Sequence, residues 1–197
     1  MTVVTPARRR GRPRVGDPDE IADLALALMS ERGYSETTMA DIATAAGVSS
    51  PTLFRYFPSK AAVLWHGIDE SARLFRAAFE TQPGDLNVVD AVFGAYLQML
   101  VSDPVRTRSI RVRTKIISLD PEGSAAGWIR FHNWSELMAA CVAERQGISA
   151  LSFEATVQGE LLWAALRSAA SAWATGDESD PRPIFRAAWQ LVRLPER

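Results

Sequence analysis

The 197 residues, 47% of them hydrophobic, suffice for one compact unit or two small ones with cores of their own, and a single cysteine, Cys141, excludes an intramolecular disulfide framework and a cysteine-cluster zinc site. A net charge of −1 ordinarily argues against nucleic acid, but Arg8, Arg9, Arg10, Arg12 and Arg14 bring +5 and no acid into the first fourteen residues, which leaves −6 for the rest. No run approaches the roughly twenty apolar residues that span a bilayer, and no apolar stretch follows the N-terminal arginines, so the chain reads as cytoplasmic, without a membrane partner.

Residues 1–16 (MTVVTPARRRGRPRVG) are rich in Arg, Pro and Gly with nothing to bury, which predicts a disordered basic arm. Arg10, Arg12 and Arg14, spaced by Gly11 and Pro13, resemble the core of an AT-hook, whose extended backbone suits a narrow A·T-rich minor groove. A tether that follows only the phosphate charge is the alternative. A helix is expected over 17–32, with Asp17 as cap, Asp19 and Glu20 in the first turn, apolar positions at Ile21, Leu24, Ala25, Leu28 and Met29, and Gly33 as terminator. Thr38 and Asp41 then start a second helix with Met39, Ile42, Ala43 and Ala46 on its apolar face, and Gly47 ends it. Ser49 can cap a third, with Pro51 in its first turn. Leu53 and Phe57, one turn apart, anchor this third helix and leave Ser50, Thr52, Arg55 and Tyr56 on its other faces, the kinds of group that bond phosphates and base edges. Two short helices joined by a glycine turn make a helix-turn-helix, so 17–60 is expected to be a three-helix DNA-binding domain, its core including Leu24, Leu28, Ile42, Leu53 and Phe57.

From Ser59 to about residue 80 the period predicts one longer helix, and Gln82-Pro83-Gly84-Asp85 breaks it. Further helices are expected over about 87–102, 105–119, 125–146, 152–175 and 183–193, with no alternating run long enough for a sheet. The fold class is therefore all-α, a small head and a helical-bundle body over 61–197. Large aromatics in such a bundle fill a core or line a pocket; Trp128, Phe131 and Trp134, with Phe93, Tyr96 and Met99 on another helix and Trp163 on a third, mark where a cavity is expected. The stretch 106–115 (RTRSIRVRTK) carries five cations, Arg111 and Arg113 among them, either as a solvated face or as a phosphate site at a pocket mouth. His66 and His132 form no metal-ligand pair, and there is no nucleophile motif or phosphate loop, so no catalytic residue, metal or cofactor is expected. Leu162, Ala165, Leu166 and Ala169, with Ile184, Ala188 and Leu191 after them, mix small and apolar residues as a four-helix dimer interface would, or as intrachain core would.

Thr38, Ile42-Ala43, Ala46-Gly47-Val48-Ser49, Thr52-Leu53-Phe54, Tyr56-Phe57 and Ser59-Lys60 resemble, in register, the signature of the TetR family of bacterial transcriptional regulators. The resemblance implies phosphate contacts from Thr38, Tyr56 and Lys60, and Ser50, Pro51, Thr52 and Arg55 facing the major groove. Phe54 stands where the family usually has tyrosine, which leaves an apolar contact, to a thymine methyl for example, in place of a hydroxyl. It further implies a homodimeric repressor that leaves a palindromic double-stranded operator when a hydrophobic small molecule enters the body. Around Arg111-x-Arg113-x-Lys115, Trp134 and the run 142–145 before Gly147, the body looks like the TetR subgroup of the mycofactocin-system regulator, which implies an acyl-CoA-like effector. Two other classes remain open at this point: a DNA-binding protein without a small-molecule ligand, and an enzyme with a DNA-binding head.

Overall fold

The computed structural model describes residues 17–192, and every regular element among them is an α-helix. Arg10, Arg12 and Arg14, with the rest of the expected arm, lie outside them. In chain order the helices are α1 (Pro18–Arg32), α2 (Met39–Ala46), α3 (Ser50–Tyr56), α4 (Lys60–Leu64), α5 (Ile68–Glu80), α6 (Val88–Val101), α7 (Pro104–Leu119), α8 (Pro121–Ala125), α9 (Trp128–Gln146), α10 (Phe153–Thr175) and α11 (Arg182–Leu191). The caps are those the residue types favour: Asp17, Thr38, Ser49, Ser59, Asn87, Asp103 and Ser152 each accept a bond from a backbone N–H of the first turn.

Three elements depart from the sequence reading. In α1 the buried face is Ile21, Ala22, Ala25, Leu26 and Met29, while Leu24 is 46% exposed and Leu28 only partly buried. The helix is apolar on nearly every side over Leu24–Met29, so its own period cannot choose a face; its packing against α2, α4 and α7 does. The helix expected from 59 to 80 is two, broken at Trp65–Gly67, where Gly67 takes the left-handed backbone that L side chains avoid (φ +81°). And between the helices expected over 105–119 and 125–146 stands one more, α8: Asp120 both follows α7 and starts α8, its carboxylate accepting from the N–H groups of Glu122 and Gly123 at 3.0 Å each.

The buried residues form two clusters. One is the head: Ile21, Leu26, Ile42, Leu53 and Phe57 from α1–α3 and the residue after them, joined by Val63, Leu64 and Trp65 and by Ile116 of α7. The other is the body, built around Phe75, Phe79, Met138, Leu162, Trp173 and Phe185. Ile68 and Phe131 pack against both. Within the body α9 and α10 meet almost backbone to backbone: a Cβ on Gly159 would lie 2.6 Å from the amide nitrogen of Ala139. Leu162, Leu166 and Ala169 are buried in their own chain, so of the two readings of these residues they take that of intrachain core. Ala165, Ile184 and Ala188 are half-buried against the same core, and Leu191 is exposed. The apolar residues α10 leaves outside are Phe153, Val157 and Leu161, four apart on one stripe.

Candidate functional site

In the head, α2 is held by a reciprocal cap: the Thr38 hydroxyl accepts from the Asp41 N–H (3.1 Å) and the Asp41 carboxylate accepts from the Thr38 N–H (2.9 Å). The Thr38 hydroxyl also donates to that carboxylate (2.5 Å), and this bond first, with the one from the Thr38 N–H, keeps the Asp41 carboxyl below its ordinary value. Gly47, at φ +65°, turns the chain into α3, whose first turn is tied by Ser49 to Thr52. With Leu53 and Phe57 buried beneath it, α3 presents Ser50, Pro51, Phe54 and Arg55 fully outward and Thr52 and Tyr56 half outward. Phe54 is 50% exposed, a large apolar ring on a polar face. The Arg55 guanidinium lies over the Tyr56 ring and donates to its hydroxyl (3.3 Å). This is an outward-facing, cation-bearing helix of a size that enters a major groove.

Lys60 is placed differently from the others. Its ammonium donates to the Tyr34 carbonyl (2.8 Å), sits 4.1 Å from the centre of the Tyr34 ring and approaches the Glu122 carboxylate at 3.9 Å. A phosphate contact from Lys60 would have to share the ammonium with these partners. They belong to the joint between head and body, where Ser35 also donates to Asp120 (3.2 Å) and Glu122 (3.1 Å).

The body holds a cavity of about 240 Å³ bounded by α5, α6, α7, α9 and α10 and by Trp65 and Ser124. Of the residues expected at such a site, it brings together Tyr96, Met99, Arg113, Phe131, Trp134 and Trp163. Trp134 and Trp163 are stacked (5.1 Å, 12°), and Tyr96 meets Trp134 edge-on. Three expected residues lie elsewhere. Trp128 is 70% exposed, one turn too early on α9 to reach inside, and stacks on His132. Arg111 does not line the cavity; its guanidinium lies over the Trp173 ring and donates to the Gly176 carbonyl (2.8 Å). Phe93 faces a separate groove of about 320 Å³ between α6 and α11, with Phe185 and Trp189.

Sequence reasoning missed Trp65, Arg167 and the hydroxyl residues Ser71, Thr114, Ser118, Ser124 and Ser171, all of which line the cavity. Arg167 alone left a signal, a cation interrupting the apolar run of α10. Arg113 is buried; its Nε donates to the Leu64 carbonyl (2.7 Å), and desolvation brings its guanidinium down to about 10, opposed by the charge of Asp23. It remains a cation at neutral pH. Leu64 is the last residue of α4, so a cavity-lining cation holds the end of the helix that closes the head. Trp65, the next residue, is buried in the head cluster and lines the cavity at the same time. A Cβ on Gly127 would meet its ring at 1.8 Å, so α8 and α9 seat directly on it. Among the described residues no set of His, Cys, Asp and Glu could hold a metal ion, and no single helix is long and apolar enough to cross a membrane. Cys141 is buried, and burial pushes its thiol up to about 12.

A capped helix-turn-helix with an outward second helix, fused to a helical body around an aromatic cavity, is the architecture of a one-chain transcriptional regulator, and the chain belongs to the TetR family of bacterial regulatory proteins, whose model matches residues 21–65. Within that family its body is of one kind: the MftR C-terminal domain matches residues 86–195. The putative mycofactocin biosynthesis transcriptional regulator MftR of Mycobacterium tuberculosis is 30% identical over 185 residues, 93% of each chain. Among solved structures, the fatty acid degradation regulator FadR of Bacillus halodurans has the same fold, with a TM-score of 0.67 at 16% identity over 93% of this chain and 96% of that one. FadR of Bacillus subtilis, in complex with stearoyl-CoA, matches with a TM-score of 0.66 at 14% identity, over 89% of this chain and 97% of its own. The protein is thus a helix-turn-helix, DNA-binding transcriptional regulator.

Proposed function

We propose that this regulator binds a palindromic operator as a homodimer and leaves it when a hydrophobic small molecule, an acyl-CoA, fills the body cavity. The observation that carries the reading is the shared wall: Trp65 and Arg113 line the cavity and also belong to, or hold, the end of α4 in the head. A ligand that displaces either moves the head without any longer relay. The effect is a population shift; the ligand weakens DNA binding by its preference for the DNA-incompetent arrangement and by no more than that. Acyl-CoA is favoured by an aromatic interior that shares its wall with the buried cation Arg113 and the exposed cation Arg167, the latter free to meet phosphates outside the cavity, and by the stearoyl-CoA bound to the Bacillus subtilis FadR of the same fold.

On DNA, Ser50, Pro51, Thr52, Phe54 and Arg55 take the base edges, and Thr38 and Tyr56 take the phosphates, with Lys60 steadying the joint behind them. Two half-sites about 34–36 Å apart require two copies. The pairing surface is the exposed stripe Phe153, Val157 and Leu161 of α10 with Leu191 of α11, since the apolar residues on the other side of α10 are spent on its own core.

The test is a titration of the intrinsic tryptophans, three of which line the cavity, with long-chain acyl-CoA, free fatty acid and CoA alone. Saturable quenching by acyl-CoA but not by CoA is the expected result. No response to any of the three would overturn the ligand assignment.

A further inference from the structure

Arg113 is 8% exposed, and among the described residues no carboxylate pairs with it. Asp23 acts on it only from a distance, its own carboxylate accepting from Ser109 (2.7 Å). A buried cation without a counter-charge is costly, and the cost is relieved where an anion meets it. Of the guanidinium's donors, Nε donates to the Leu64 carbonyl; the terminal amino groups have no partner among the described residues, and neither is closed off from open space. The open space that Arg113 borders is the aromatic cavity. Among the described residues no Asp or Glu lines that cavity to offset the charge. The Ser and Thr hydroxyls of its wall can accept a bond, but none takes one from Arg113, and a hydroxyl leaves the charge uncompensated.

We infer that Arg113 is an anion site inside the cavity, suited to the carboxylate of an apolar acid, so that the regulator takes a free long-chain acid as well as the acyl-CoA proposed above. This goes beyond that reading and rests on the part of it that makes the cavity a ligand site. A carboxylate is planar, accepts from both arms of a guanidinium at once and carries the single negative charge that a lone buried arginine balances. The phosphates of CoA carry more charge than that, and they suit the exposed Arg167 better. The Nε bond to Leu64 already holds the guanidinium, so the site is ordered before the acid arrives. Because Leu64 ends α4, the side chain that reads the acid is also bonded directly to the head.

Calorimetric titration of the full chain at neutral pH with laurate, with dodecanol, which keeps the chain and loses the charge, and with lauroyl-CoA tests this directly. The unaltered protein should bind laurate about tenfold or more tighter than dodecanol, the size of one charge-assisted bond. Arg113→Gln, which keeps a donor for the Leu64 carbonyl and removes the charge, should bring laurate to the affinity of dodecanol and leave dodecanol unchanged. Arg113→Lys, which keeps the charge without the fork, should retain part of the preference. Equal affinity of the unaltered protein for laurate and dodecanol overturns the inference, and so does a preference that Arg113→Gln keeps in full. Loss of lauroyl-CoA affinity in Arg113→Gln, with no preference for laurate in the parent, would place a phosphate on Arg113 and overturn it too. The acyl-CoA reading fails separately, if laurate binds and lauroyl-CoA does not. Binding of none of the three compounds overturns both. The comparison on the unaltered protein holds even where a variant folds poorly.

Discussion

Thr52 and Arg55 divide recognition from support at the scale of single residues. Both are on the outer side of α3, whereas Leu53 between them is wholly buried. Arg55→Ala or Thr52→Ala should relax sequence preference by about 1–3 kcal/mol while leaving the melting temperature nearly unchanged, measured by competition between a selected DNA and random DNA. Equal losses on both DNAs would place these residues on phosphates instead. The caps and turns of α2 and α3 were legible because each choice there is local: Thr38, Gly47, Ser49 and Pro51 are cap and turn residues whose chemistry acts within four positions. Arg113 was legible as a cation but not as a buried one. Its partner is the Leu64 carbonyl, 49 positions away, and no spacing rule reaches that far.

At the scale of elements, the joint between head and body was the least legible part. Gly67 within an apolar helical run reads as a tolerated glycine, and only the competing demands of two cores make it a corner: Val63, Leu64 and Trp65 go into the head and Phe75 and Phe79 into the body. Asp120 is the electrostatic centre of that joint. The backbone N–H of Gly123, foremost, and bonds from Ser35 and Glu122 hold its carboxyl below the usual 3.8. A carboxyl lowered in the folded state contributes stability above its unfolded value and loses it as pH falls through the folded one. Asp120→Ala should therefore destabilise by about 0.5–2 kcal/mol at neutral pH, as the loss of a helix cap does. The gap between variant and parent should close as the pH is taken from about 5 down through the carboxylate range. Chemical denaturation across that range measures it, and a gap independent of pH would assign the effect to the shape of the side chain and not to its charge.

Across the whole molecule, fold class, helix order and the break before α6 follow from period and punctuation, but which face of α10 meets a second copy does not. Leu161 and Leu162 are adjacent in sequence and opposite in environment, one half-exposed and one fully buried, because α9 covers one side through the Gly159 contact. Leu161→Glu should convert the protein to monomers in sedimentation with little loss of helix content. Leu162→Ala should cost about 2–5 kcal/mol of stability and leave the folded fraction dimeric. The reverse pattern would return the dimer surface to Leu162, Leu166 and Ala169.

In the proposed function, occupancy of the cavity and occupancy of DNA are coupled through α4. This coupling is tested most directly by measuring the Kd for a selected palindromic DNA, by fluorescence anisotropy, without ligand and with saturating lauroyl-CoA, together with the Kd for lauroyl-CoA with and without that DNA. DNA binding should weaken with lauroyl-CoA present, and lauroyl-CoA binding should weaken by the same factor with DNA present, since coupling between two sites is reciprocal. A ligand that saturates the cavity and leaves the DNA affinity unchanged would contradict it.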